Sequence, residues 1–246
     1  MGRAMNWLNG AAPRLPDRDD LLRLAAFTAL AMLLLISAQV FAHDMSQANK
    51  SYVESISGPA PVPFFYLGAK HMVTGIDHLL FLTGVIFFLY RLRDIIIYVS
   101  LFTLGHSTTL ILGVLLGTGL NSDLVDAIIG FSIVYKAFEN MGGFQRLGFS
   151  INTKLAVLLF GLFHGMGLAT KLQDLNTSAN GLLVNLISFN VGVEAGQVIA
   201  LAIVVVLLNF WRATPSFARG AFAANLLLLG AGAALTIYHL AGYFAS

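Results

Sequence analysis

HMVTGIDHLLFL, residues 71–82, sets two histidines and an aspartate at the head of a long apolar run. A few residues on, the chain is fit to cross a bilayer, where charged and chelating groups are costly. The composition supports that reading. Of 246 residues, 57% are hydrophobic and only 11% charged, against roughly a quarter charged in soluble domains. So large a deficit marks an integral membrane protein rather than an unusual soluble core. The net charge is only +2 and the basic residues are scattered, which argues against the concentrated basic face that nucleic acid requires. There is no cysteine, so disulfides, thiolate metal sites and iron–sulfur clusters are excluded. Any metal must be held by histidine, carboxylate, amide, water or methionine.

Working outward, six hydrophobic segments follow the quoted stretch or begin within it, at about 72–90, 95–118, 124–141, 155–170, 183–209 and 221–244. Short connections favour a compact antiparallel bundle of six transmembrane helices, an all-α membrane protein spanning 66–246, with no internal repeat. Upstream, residues 43–65 form a periplasmic segment, polar and rich in proline, that reads as loop through Pro63. Residues 1–42 combine Arg3, Arg14 and Arg18 with an apolar stretch ending Val40-Phe41-Ala42. They read as a signal peptide or, uncleaved, as an N-terminal signal-anchor helix. Arg91 and Arg93, Arg146 and Lys154, and Arg212 and Arg219 fall in alternate loops. The positive-inside rule therefore predicts a cytoplasmic N-terminus and a C-terminus on the opposite, outer side of the membrane. Glycine pairs four apart, Gly113/Gly117, Gly161/Gly165 and Gly192/Gly196, predict close helix packing.

The chemistry gathers on a few polar residues within these segments. His71 and His78 flank Asp77, and His106, His164 and His239 lie in later helices. Asn190, Glu194 and Gln197, spaced four and three apart, share one helix face. Thr74-Gly75-Ile76-Asp77 fits a capping box, with Thr74 as cap. In an unbroken helix His71 and His78 would lie ~10 Å apart along the axis, too far to share a metal with ligand bonds of roughly 2.0–2.2 Å. A helix that starts at Thr74 would let His71 fold back toward His78, and the residues alone leave that choice open. Thr103 and Thr109 border His106 in a polar seam, unless they bond their own helix carbonyls. Lys136 and Glu139 predict an internal ion pair, and Asp126 sits where a helix dipole favours it. His43 would become the first residue after cleavage, able to chelate through its amino group and imidazole.

GIDHLLFL (75–82), FTLGHSTTL (102–110), FGLFHGMGLA (160–169) and FNVGVEAGQV (189–198), in this order, resemble the HupE/UreJ family of bacterial membrane proteins from about Tyr66 onward. The resemblance implies hydrogenase- or urease-associated nickel or cobalt permeases. It maps the family's histidines and aspartate onto His71, Asp77, His78, His106 and His164, its acidic motif onto Glu194, and its N-terminal histidine onto His43. Two departures are visible: Met72 follows His71 where proline is frequent, and five residues rather than four separate His71 from Asp77. The expected activity is capture and transport of a divalent transition metal, nickel or cobalt before copper or zinc. The less central ligands are His43, Asn190, Gln197 and His239. The expected partners are the metal ion, the lipid bilayer, and another membrane subunit or a second copy. The alternative is a metal-binding or structural accessory subunit of a larger complex; a channel for a small neutral solute ranks below both. No nucleophile-and-base pair or cofactor loop points to an enzyme.

Overall fold

The computed structural model describes residues 53–173 and 179–245. The signal or anchor expected over 1–42, and His43 with it, lie outside the described residues. Among them the chain is helical without strands: α1 Pro61–Thr74, α2 Ile76–Ile86, α3 Leu92–Leu116, α4 Ser122–Asn140, α5 Gly143–Arg146, α6 Thr153–Gln173, α7 Leu182–Arg212 and α8 Pro215–Ala245. Four of these, α3, α6, α7 and α8, are long and apolar enough to cross a membrane.

Helix α1 begins about ten residues before the apolar run, inside the stretch expected to be loop. Its prolines occupy the first turn, where the missing N–H costs nothing and the fixed φ suits a helix start. The expected single segment over 72–90 is instead two helices broken at Gly75. Thr74 does not cap α2. Its Oγ1 donates to the Lys70 carbonyl at 2.8 Å, and Gly75 takes the N-cap position without a side-chain bond. The hydroxyl closes the end of α1 because that carbonyl lies one turn behind it.

Three helix pairs make the bundle. At one end of the α1–α2/α7 pair the Ala60 amide donates to Asn185 Oδ1 at 2.7 Å. At the other end Arg212 donates to the carbonyls of Ile86 at 2.6 Å and Phe87 at 2.7 Å. The broken helix therefore runs parallel to α7 along its length. Helices α3 and α6 are also parallel: Gly161 lies against the Phe102 carbonyl, and Gln173 donates to the Gly113 carbonyl at 2.9 Å. Helices α4 and α8 are antiparallel, with Asn140 donating to Asn225 at 2.9 Å and Asp123 near His239 at 3.6 Å. The closest partners are thus mostly parallel rather than antiparallel neighbours in sequence.

Small residues set these pairings. A methyl on Gly196 would lie 2.6 Å from the Ala69 carbonyl oxygen, and Gly165 faces the carbonyl of His106 with equally little room. Such contact brings backbones together and gains dispersion energy that lipid cannot supply. Gly117 departs from the expected packing role: it caps α3 at φ +65° with open space beside it, a conformation that favours glycine. Between the pairs lie Phe81, Leu82 and Ile86 of α2, Phe102 and Leu110 of α3, Ile133 of α4 and Leu186 of α7, all fully buried. Outward-facing residues of α7 such as Ile203, Val206, Leu207 and Phe210 are apolar and exposed, as a lipid-facing surface requires.

Candidate metal centre

The break at Gly75 builds the centre. It ends α1 one turn past His71 and restarts the chain so that Asp77 and His78 open α2. The chain direction shifts enough to bring the His71 and His78 ring centroids to 5.0 Å, which an unbroken helix would not allow. A side chain at Gly75 would press on the site: its Cβ would lie 2.9 Å from the His71 carbonyl oxygen and 3.0 Å from His78 Nδ1.

Helices α3 and α6, locked together by glycines, bring the other two imidazoles. His106 centres 5.7 Å from His78, and His164 centres 4.8 Å from His78. One ligand nitrogen each from His71, His78 and His106 falls within a common span of 4.8 Å. His78, His106 and His164 are buried; His71 is half-buried beside the exposed Val73 and Thr74.

Hydrogen bonds orient the rings. His78 Nδ1 stands 3.0 Å from Asp77 Oδ1, so with the proton on Nδ1 it donates to the carboxylate. His164 Nδ1 is 2.8 Å from the Phe160 carbonyl oxygen, which can only accept, so that nitrogen carries the proton. In both rings Nε2 then holds a lone pair, and both Nε2 atoms are buried with no hydrogen-bond partner. Neither nitrogen of His106 has one, although the residue is 0% exposed. Buried polar atoms are rarely left so. A histidine fixed on one nitrogen by a carboxylate or carbonyl and open on the other is the usual arrangement behind a metal. Three to four neutral imidazoles suit a divalent ion of intermediate softness.

The remaining candidates are not drawn into this cluster. Asn190 and Gln197 are buried on α7; Gln197 accepts from Thr103 Oγ1 at 3.2 Å, and Asn190 donates to its own helix at Leu186. Glu194, between them in sequence, is exposed. The arc they share straddles the edge of the buried face of α7, and Glu194 is on the outer side of that edge. His239 belongs to a separate group, 3.6 Å from Asp123 and 4.0 Å from Asp126. Asp126 there pairs with Lys171 at 2.8 Å rather than resting on a helix dipole alone. The expected Lys136–Glu139 pair forms, at 2.9 Å. Of the seam threonines, Thr103 donates to Gln197, and Thr109 lies 3.1 Å from its own helix's Gly105 carbonyl but closer, 2.7 Å, to the Leu162 carbonyl of α6, tying the paired helices together beside His106.

Sequence reasoning passed over the phenylalanines. Phe102, Phe160 and Phe81 sit four, four and three residues from His106, His164 and His78. The recurrence F-x-x-x-H, F-x-x-x-H and H-x-x-F was a readable signal that each imidazole stands one turn from a phenyl ring.

The HupE / UreJ protein family matches this chain over residues 47–246. No curated protein and no solved structure matches it.

Proposed function

The chain belongs to the HupE/UreJ family, and from that premise we propose that it binds a divalent transition metal within the membrane and transports it. The ion is nickel or cobalt before copper or zinc. His71, His78 and His106 are its ligands, His164 completes the set, and Asp77 holds His78 in the ligating tautomer. One observation carries this reading: imidazole nitrogens within 4.8 Å of one another, in a buried core that gives His78 Nε2 and both nitrogens of His106 no hydrogen-bond partner. Asn190 and Gln197, buried on α7, meet the ion before or after it reaches the histidines; Gln197 stands beside Thr103, one turn from His106.

The same reading places six crossings in the bacterial inner membrane. Helices α1 and α2 together accompany the 31-residue α7 from Asn185 to Arg212, so they act as one broken span. Helix α4 acts as another, its charges satisfied within the bundle. The parallel and antiparallel pairings agree with six alternating passes. With basic loops inside, the C-terminus is periplasmic. A discontinuous helix at mid-depth is a recurrent way to present chelating groups without exposing backbone to lipid.

A second reading, a metal-binding accessory subunit, draws on Glu194. A carboxylate exposed in the apolar outer face of α7 beside Val191 and Val198 is costly in lipid and suits contact with another protein. Purified protein in liposomes separates the two. Transport predicts uptake from a panel of Ni²⁺, Co²⁺, Cu²⁺ and Zn²⁺ that is lost in His78→Ala/His164→Ala. Metal held without uptake, in a protein that co-purifies stoichiometrically with a partner, favours the subunit.

A further inference from the structure

We propose that Phe81, Phe102 and Phe160 form a seal that closes the cytoplasmic side of the histidine centre, so that the centre loads only from the opposite side. This rests on the metal-transport reading and its orientation.

The geometry is a phenyl layer beneath an imidazole layer. Helix α2 runs opposite to α3 and α6. Phe81 follows His78 in the chain, whereas Phe102 and Phe160 precede His106 and His164. All three rings therefore fall on the same side of the histidines, about one turn away. Phe81 touches both of the others, centred 5.6 Å from Phe102 and 5.7 Å from Phe160. They also touch the layer above, with Phe81 centred 5.3 Å and Phe102 5.0 Å from His164. Phe81 and Phe102 are buried and Phe160 half-buried.

Below the rings the chain adds a second obstacle. Gly84 lies three residues beyond Phe81, and the Lys136 side chain packs against it. The Lys136 ammonium bonds Glu139 at 2.9 Å, and Thr153 donates to the other oxygen of the same carboxylate. Asn140 closes the adjoining space by donating to the Gly84 carbonyl at 2.8 Å. An ion leaving the histidines in this direction meets the phenyl rings and then the buried Lys136–Glu139 ion pair, which has no free ligand to offer. On the other side of the imidazoles His71 is only half-buried, and among the described residues no comparable ring layer stands there. The phenyl rings thus exclude water and ions on the cytoplasmic side.

The test uses the full chain, with Ni²⁺ as probe, and reads binding in detergent and flux in liposomes separately. Phe81→Ala/Phe102→Ala is expected to bind Ni²⁺ within about threefold of wild type, yet to pass it down its gradient at least tenfold faster and without saturation. Phe81→Leu/Phe102→Leu, which keeps an apolar plug, is expected to restore the seal. Phe160→Ala, at the half-buried ring, serves if the double variant no longer binds, with an expected leak of at least threefold. Retained binding with wild-type flux in the alanine variants overturns the seal alone. A wild type that binds no Ni²⁺ overturns the metal-site reading and this inference with it.

Discussion

His78 is poised by what its other nitrogen does. The contact with Asp77 commits Nδ1 to the carboxylate and leaves Nε2 buried without a hydrogen-bond partner, in a ring centred 5.7 Å from His106 and 4.8 Å from His164. Loss of such a supporting group typically costs 10–100-fold in metal affinity. Asp77→Asn is therefore expected to weaken binding by about tenfold or more with little change in thermal stability; isothermal titration and a melting curve check this together. His78→Ala and His106→Ala remove ligands and are expected to cost more, whereas His239→Ala, in its separate group with Asp123 and Asp126, should leave affinity unaltered. The sign of the pH dependence follows from competition between protons and metal for the same nitrogens. Acidification should therefore weaken binding and never strengthen it. Titrations from pH 8 downward test it, and affinity that rises as the pH falls would count against imidazole ligands.

At the scale of the element, the break at Gly75 governs the site. Gly75→Val touches no metal, but its Cβ would crowd the His71 carbonyl and His78 Nδ1, at 2.9 and 3.0 Å. It is expected to lower affinity at least tenfold, measured by the same titration. A variant that binds like wild type would mean the break has slack that the distances do not show. The glycine faces make a different prediction. Gly165→Leu and Gly192→Leu each force a side chain into a neighbouring backbone, and overpacking of this kind costs about 1–3 kcal/mol or more, seen as earlier unfolding in detergent. Much of this scale was legible in the sequence. From the second segment to the fifth the apolar runs marked the helices to within about three residues, because hydrophobic length is a direct signal, whereas the first began eleven residues late and the last six. The packing glycines were visible by spacing. The broken helix was only half-legible: Thr74 and Gly75 signalled a restart, but the prolines at 61 and 63 read as loop, although they open α1. Which helices pair was not legible, because pairing depends on which glycine face meets which backbone across dozens of residues. Glu194 illustrates the same limit. Its spacing from Asn190 and Gln197 fixed a shared face, but not where the buried part of that face ends.

For the molecule as a whole, the claim is a six-pass bundle built from three pairs around an intramembrane metal centre. Its topology is testable in a chain without cysteine. Single cysteines placed at Tyr243 and at Gly148 should react with an impermeant thiol reagent from opposite sides of the membrane, Tyr243 from the periplasm. Reaction from one side for both would remove a crossing. The four motifs made the polar residues legible in order along the chain, and the histidines could be named from them. Their convergence is a product of the fold: α1 and α2 meet at a break, and α3 and α6 dock beside it.

The most direct measurement is X-ray absorption spectroscopy of the purified protein loaded with one equivalent of Ni²⁺, repeated on His78→Ala. The account predicts a first shell dominated by three or four imidazole nitrogens, reduced or replaced by oxygen in the variant. A first shell of oxygen, or of sulfur from methionine, in the wild type would contradict it.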